Sequence, residues 1–121
     1  MKTNLFRFED MGIWQRAARI SGPLFRLAAE LDRKRHYRFA EQLRGATLSI
    51  TNNIAEGSGS VSADDFANFL NIARRAVFEV ANMLRLFSRE DYWSAEQVSG
   101  LLGELEQQSR MILAFRRTLK A

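Results

Sequence analysis

The sequence predicts an all-α protein, an antiparallel up-down-up-down four-helix bundle forming a single domain over residues 1–121. Three observations carry that expectation. Apolar residues recur at alternating spacings of three and four through four long segments, the pattern of a packed helical seam. One proline and seven glycines in 121 residues leave little room for a turn-rich β fold. Polar breaks fall at regular intervals, and connections that short make consecutive helices antiparallel neighbours.

The first helix is expected near residues 11–33, where Ile13, Ala17, Ile20, Leu24, Leu27 and Leu31 align. Asp10 stands where an N-cap belongs. Gly22-Pro23 falls inside the seam without shifting its phase, which predicts a kink rather than a stop. "RKRHYR", Arg33 to Arg38, forms the first turn. The second helix, near 38–56, is carried by Phe39, Leu43, Ala46, Ile50 and Ile54, with Gly57 in the place of a C-capping glycine. After "GSGSVS", Ser62 and Asp65 resemble a capping box with Asp in place of Glu. They open a third helix near 63–88, lined by Phe66, Leu70, Ala73, Val77, Val80, Leu84 and Phe87. "SREDYW" makes the last turn. Ser94 and Gln97 form a second capping box ahead of a fourth helix near 95–119, with Val98, Leu101, Leu105, Ile112, Phe115 and Leu119 on its inner line.

The chain has no cysteine, which excludes a disulfide framework, a zinc-thiolate site and a cysteine nucleophile, and suits a reducing, cytoplasmic setting. The stretch "MKTNLFRFEDM" has neither the apolar run nor the small-residue cleavage pattern expected of a signal peptide, and no apolar run is long enough to span a membrane as a helix. A di-iron site in a bundle needs Glu-x-x-His pairs on two helices, but the one histidine, His36, lies in a turn among arginines. A Ser-His-Asp arrangement would rest on the same residue. "EGSGS" lacks the lysine and the preceding strand of a phosphate loop. The sequence therefore predicts no catalytic residue, no metal, no cofactor and no enzyme.

The stretch "SITNNIAEGSGS" places two asparagines and a glutamate at a helix end. Asn53 lies beside the core line, where a buried amide must find partners; loop or helix-terminal backbone near "FRFEDM" is the expected source. Glu56 faces the negative end of its helix dipole and needs a cation, for which Arg74 is the candidate. The reading favoured is a polar lock of Asn53, Glu56 and Arg74; a catalytic or ligand role is the alternative.

The first and third helices carry more apolar surface than their seams require. Trp14, Ala18 and Phe25 lie off the seam of the first, and Phe69, Ile72, Ala76 and Met83 widen the arc of the third. Stripes of that size bury against another chain, here a second copy, or belong to a thick core. Charge is uneven as well. The net +4 arises wholly in residues 1–56, with ten Lys/Arg against six Asp/Glu, whereas residues 57–121 hold eight of each. Fifteen of the eighteen basic residues are arginine, whose planar fork suits phosphate. Arg16, Arg19 and Arg26 run along the first helix, Arg33, Lys34, Arg35 and Arg38 cluster at its end, and Arg116, Arg117 and Lys120 close the last helix. These are the candidate nucleic-acid contacts; the alternative is that they are solvated faces paired with acids such as Glu30 and Asp32.

Three stretches, "FRFEDMGIWQRA", "QLRGATLSITNNIAEGSGS" and "DFANFLNIARRAVFEV", resemble the four-helix-bundle family encoded in 23S ribosomal RNA intervening sequences. The resemblance rests on Phe8, Glu9, Asp10 and Trp14, on Asn-Ile-Ala-Glu-Gly from Asn53 to Gly57, and on the run from Phe66 to Ala73. It covers nearly the whole chain. The chain departs from the family pattern at Thr51 (proline), Gly45 (arginine), Arg75-Ala76 (Gly-Ser) and Gly22-Pro23. The resemblance implies a ring-forming homo-oligomer, a pentamer in family members. It also implies a link to nucleic acid, through relatives inside ribosomal RNA genes and a related branch that serves diversity-generating retroelements as the accessory protein. No biochemical activity follows from it. Two functions are thus expected: a non-enzymatic accessory protein binding RNA or DNA through arginine clusters, or a scaffold that meets only a protein partner.

Overall fold

A computed structural model describes residues 4–120, and for Lys120 the backbone only, so that any contact of its side chain lies outside the described residues. A 3-10 turn, Arg7–Asp10, leads into α1 (Gly12–Arg33), α2 (Tyr37–Ser58), α3 (Ala63–Arg89) and α4 (Ala95–Lys120). All four helices lie within two residues of their predicted bounds, and the described residues contain no strand. Each helix packs on the next, and α1 also touches α4.

The seams form one continuous core. Leu24, Leu31, Leu43, Ile54, Leu70, Leu84, Leu105 and Ile112 are fully enclosed. Burial of such side chains stabilises by about 1.5–3 kcal/mol each, which is what holds helices of this length together. Two residues expected at an oligomer interface belong to this core instead: Ala76 and Met83 are 5% and 7% exposed. The wide apolar arc of α3 faces two neighbouring helices of its own chain at once.

The helix ends depart from expectation in instructive ways. Asp10 does not cap α1. It is taken up in the 3-10 turn, where its carboxylate accepts from the Asn4 amide at 2.9 Å, and Met11 occupies the cap position without a side-chain bond. Gly57 does not cap α2. It lies inside the helix, buried, and a Cβ there would stand 2.7 Å from Phe66 Cδ1 and 2.8 Å from Phe69 Cβ. Its missing side chain is what lets α2 approach the start of α3. Pro23 lies within an α1 that runs unbroken from Gly12 to Arg33. Ser62 caps α3, accepting from Asp65 N at 3.1 Å, and Ser94 and Gln97 exchange bonds at 3.1 and 2.8 Å in a full capping box.

The α1–α2 and α3–α4 turns share one geometry. In each, the N–H of the residue after a left-handed position reaches back five residues, His36 to the Leu31 carbonyl at 2.8 Å and Tyr92 to the Phe87 carbonyl at 2.9 Å. This is the Schellman pattern, which normally places glycine at the left-handed site. Here Arg35 (φ 65°) and Asp91 (φ 64°) stand there. The two turns meet: the His36 ring stacks on Tyr92 at 4.4 Å, and Lys34 Nζ donates to the Tyr92 carbonyl. Trp93 is buried beneath them against Phe87.

Candidate nucleic-acid interface

The structure sorts the candidate arginines into those tied to the protein and those left facing solvent. Arg16 is tied. It joins α1 to α4 through an ion pair with Glu104 at 2.7 Å, and its Nε is buried without a partner. Arg116 is tied too, donating from Nε to the Ala67 carbonyl at 3.0 Å. Lys34 is held by Tyr92. Arg44, in α2, pairs with Asp32 at the end of α1 and with Glu41; the hydrogen bond it donates to Asp32 raises its already high pKa. Of the two acids named as alternative partners, Asp32 does bind an arginine, but it takes Arg44 rather than a residue of the cluster, and Glu30 makes no ion pair among the described residues.

Arg19, Arg26, Arg33, Arg35, Arg38 and Arg117 are exposed and carry no acidic partner among the described residues. Three of them, Arg33, Arg35 and Arg38, stand together at the α1–α2 turn. Arg33 lies in the last turn of α1, where a cation is favoured by the helix dipole. The neighbouring turn brings Arg89 but also Glu90 and Asp91, so the end of the bundle is positive by a small margin.

The lock expected of Asn53, Glu56 and Arg74 does not form. Asn53 Nδ2 donates to the Ser49 carbonyl at 2.7 Å and to Ser49 Oγ at 3.0 Å, both within its own helix. Glu56 is exposed, and Arg74 turns to the other side of α3, donating from Nε to the Ser109 carbonyl at 3.3 Å and lying over Phe78. The fully buried polar side chain that bridges distant parts of the chain is Gln108. It is 0% exposed and donates to the Ile13 carbonyl at 2.8 Å, joining α4 to the start of α1. Its position three residues after Leu105 and four before Ile112 puts it on the inner line of α4, a signal the sequence carries but that an apolar seam search passes over.

Of the proposed interface residues, Ile72 is 44% and Phe25 37% exposed. Ala18 and Phe69 are half-buried. Trp14 is partly covered by the core and by Phe8, whose ring meets it edge-on at 5.0 Å. Among the described residues no three His, Cys, Asp or Glu side chains gather as a metal site, and no helix is long and apolar enough to cross a membrane.

Residues 9–114 match the model of the 23S rRNA-intervening sequence protein family. Among solved structures, a protein of unknown function from the S23 ribosomal protein family of Bacteroides thetaiotaomicron VPI-5482 superposes with a TM-score of 0.82. The two share 22% sequence identity, and the match covers 86% of this chain and 97% of that one; it is a likeness of fold. No curated protein matches the chain.

Proposed function

Because the chain belongs to the 23S rRNA-intervening sequence protein family, we propose that it is a non-enzymatic, nucleic-acid-associated accessory protein that grips phosphate backbone through the arginines at the α1–α2 turn. In this reading the bundle runs up-down-up-down and works in the cytoplasm as a ring-like homo-oligomer, pentameric as the family resemblance implies. Repetition round a ring multiplies a modest positive margin into a strong local field. The exposed Ile72 and Phe25 support assembly through the outer stripes of α1 and α3.

The observation that carries the proposal is Arg35. It occupies a left-handed backbone position where glycine is the unstrained residue and where an L side chain costs about 1–2 kcal/mol. Asp91 keeps the same conformation in the other turn, so what singles out Arg35 is its place beside Arg33 and Arg38, three exposed arginines without acidic partners among the described residues at one turn. Cations alone read charge and not sequence, so the bound partner is any accessible phosphate backbone.

Fluorescence anisotropy with structured RNA and with duplex DNA, at low and moderate salt, tests this. Replacing Arg33, Arg35 and Arg38 together with alanine should weaken binding evenly across sequences. It should also flatten the salt dependence on a duplex, by up to about 0.9 in log–log slope for each phosphate no longer neutralised. Arg35→Gly alone should raise thermal stability while lowering affinity. Absence of binding to either nucleic acid at low salt rejects the proposal and leaves the alternative, a scaffold for a protein partner, which the exposed Leu48, Ile72 and Leu86 favour.

A further inference from the structure

Between α3 and α4 runs a groove of about 570 Å³, on a different face from the basic turn. That volume lies within the ~300–1,000 Å³ typical of small-ligand sites. Its floor is apolar, with Val77, Leu102 and Leu105, but its rim is not. Arg74, Phe78 and Arg85 contribute from α3 and Arg110 from α4. The spacing of four and then seven residues sets the three α3 side chains along one helix face.

The rim has a definite chemistry. Phe78 is 55% exposed, and the Arg74 guanidinium lies 5.0 Å from its ring centre, fixed by its bond to the Ser109 carbonyl. The guanidinium lies over one face of the ring, so a flat heteroaromatic ring has the open face of Phe78, backed by that cation, to stack on. Arg85 is exposed and has no acidic partner among the described residues. Arg110 shares its charge with Glu106 at 2.7 Å, so the rim stays net positive. Asn82, one turn beyond Phe78, offers both a donor and an acceptor for a base edge. An inorganic anion would not use the aromatic ring, and an apolar ligand would not use three guanidiniums. Joined in one molecule, the two demands describe a nucleotide.

We propose that the α3–α4 groove is a nucleotide subsite, which stacks one base on the Arg74–Phe78 platform and holds the adjoining phosphate on Arg85 and Arg110. The ligand is a free nucleotide or one unit of a single strand. A duplex is excluded, because its bases are already stacked and paired. The subsite does not depend on the basic turn, which takes phosphate from any backbone.

The test uses the full chain with four probes: AMP, single-stranded oligoadenylate of five units, an abasic strand of the same charge, and inorganic phosphate. Oligoadenylate or AMP should bind more tightly than its baseless counterpart. Phe78→Ala should remove that advantage, by about 5- to 100-fold, and leave the abasic strand unaffected. Phe78→Trp should preserve it, and Arg85→Ala should weaken AMP and oligoadenylate alike. Alanine at Arg33, Arg35 and Arg38 should leave AMP binding intact. Binding of AMP without preference for the strand identifies a free nucleotide; the reverse identifies single-stranded nucleic acid. Equal affinity for abasic strand and oligoadenylate, no effect of Phe78→Ala in a variant of unchanged circular dichroism, or no binding of any probe overturns the subsite. Loss of duplex binding on changing only the turn arginines, with Phe78→Ala silent, refutes the subsite while sustaining the backbone-binding function.

Discussion

Replacing Gly57 with alanine sets two physical effects against each other. In the interior of a helix, alanine is favoured over glycine by about 0.5–1 kcal/mol, because glycine loses more backbone freedom on folding. Propensity alone therefore predicts a stabilised protein. The tertiary structure predicts the opposite, since the added Cβ would lie 2.7 Å from the Phe66 ring and 2.8 Å from Phe69 Cβ. A ring can turn aside, but a Cβ moves only with its backbone, so α2 and α3 must separate or bend. Overpacking of this kind costs about 1–3 kcal/mol, and two contacts under 3 Å put this site in the upper half of that range, leaving a net loss of about 1–2.5 kcal/mol after the propensity gain is subtracted. For a chain of this size that lowers Tm by about 3–10 °C. Gly103→Ala is the matched control: it is also helical, nothing lies within 4 Å of its added Cβ, and it should raise Tm by a few degrees. Thermal melts followed by circular dichroism read both. A Gly57→Ala protein that melts with or above the parent would show that the close approach of α2 and α3 is wrong.

Gln108 offers a second contrast. Gln108→Leu loses one hydrogen bond to a carbonyl but also removes a buried oxygen that has no partner, so urea unfolding should show a change within about 1 kcal/mol. Gln108→Glu places a carboxylate at a site with no exposure and should unfold several-fold more readily, most severely above the pH at which that carboxyl ionises. Asn53→Leu should alter stability by less than about 1 kcal/mol, because its amide bonds only Ser49 of the same helix; a larger loss on urea titration would restore a long-range role. Ile72→Glu should reduce the mass seen by light scattering with helicity kept, whereas Met83→Ala should leave assembly and lower Tm, since Met83 is core. Loss of assembly on changing Met83 alone would reverse that division.

Helix positions and the principal core are legible from periodicity because burial imposes a simple rule on a helix: apolar side chains three and four apart share a face. Ser62, Ser94 and Gln97 are legible for a related reason, since a cap acts on backbone only three residues away. Gly57 misleads because a glycine at a helix end usually caps it, and nothing local reports that Phe66 and Phe69 lie against it. Asp10 misleads because the residues before it form a turn of their own. Among the candidate contacts, composition and clustering identify Arg33, Arg35 and Arg38 as solvent-facing cations, but cannot separate them from Arg16 and Arg116, whose partners lie 88 and 49 residues away.

The sequence by itself determined the all-α class, the four helices, the inner lines of their seams and the placing of net positive charge in the first half of the chain. These follow from interactions within a few residues, which any pattern of neighbours records. Only the tertiary structure decided which polar groups are paired and which are free. It sent Arg74 to Ser109 and Phe78 instead of Glu56, made Gln108 a buried long-range bridge, drew Ala76 and Met83 into the core and opened the groove between α3 and α4. Each of those outcomes depends on the distance and rotation between helices. Side-chain volumes summed over the whole core set these quantities, and no single segment contains them.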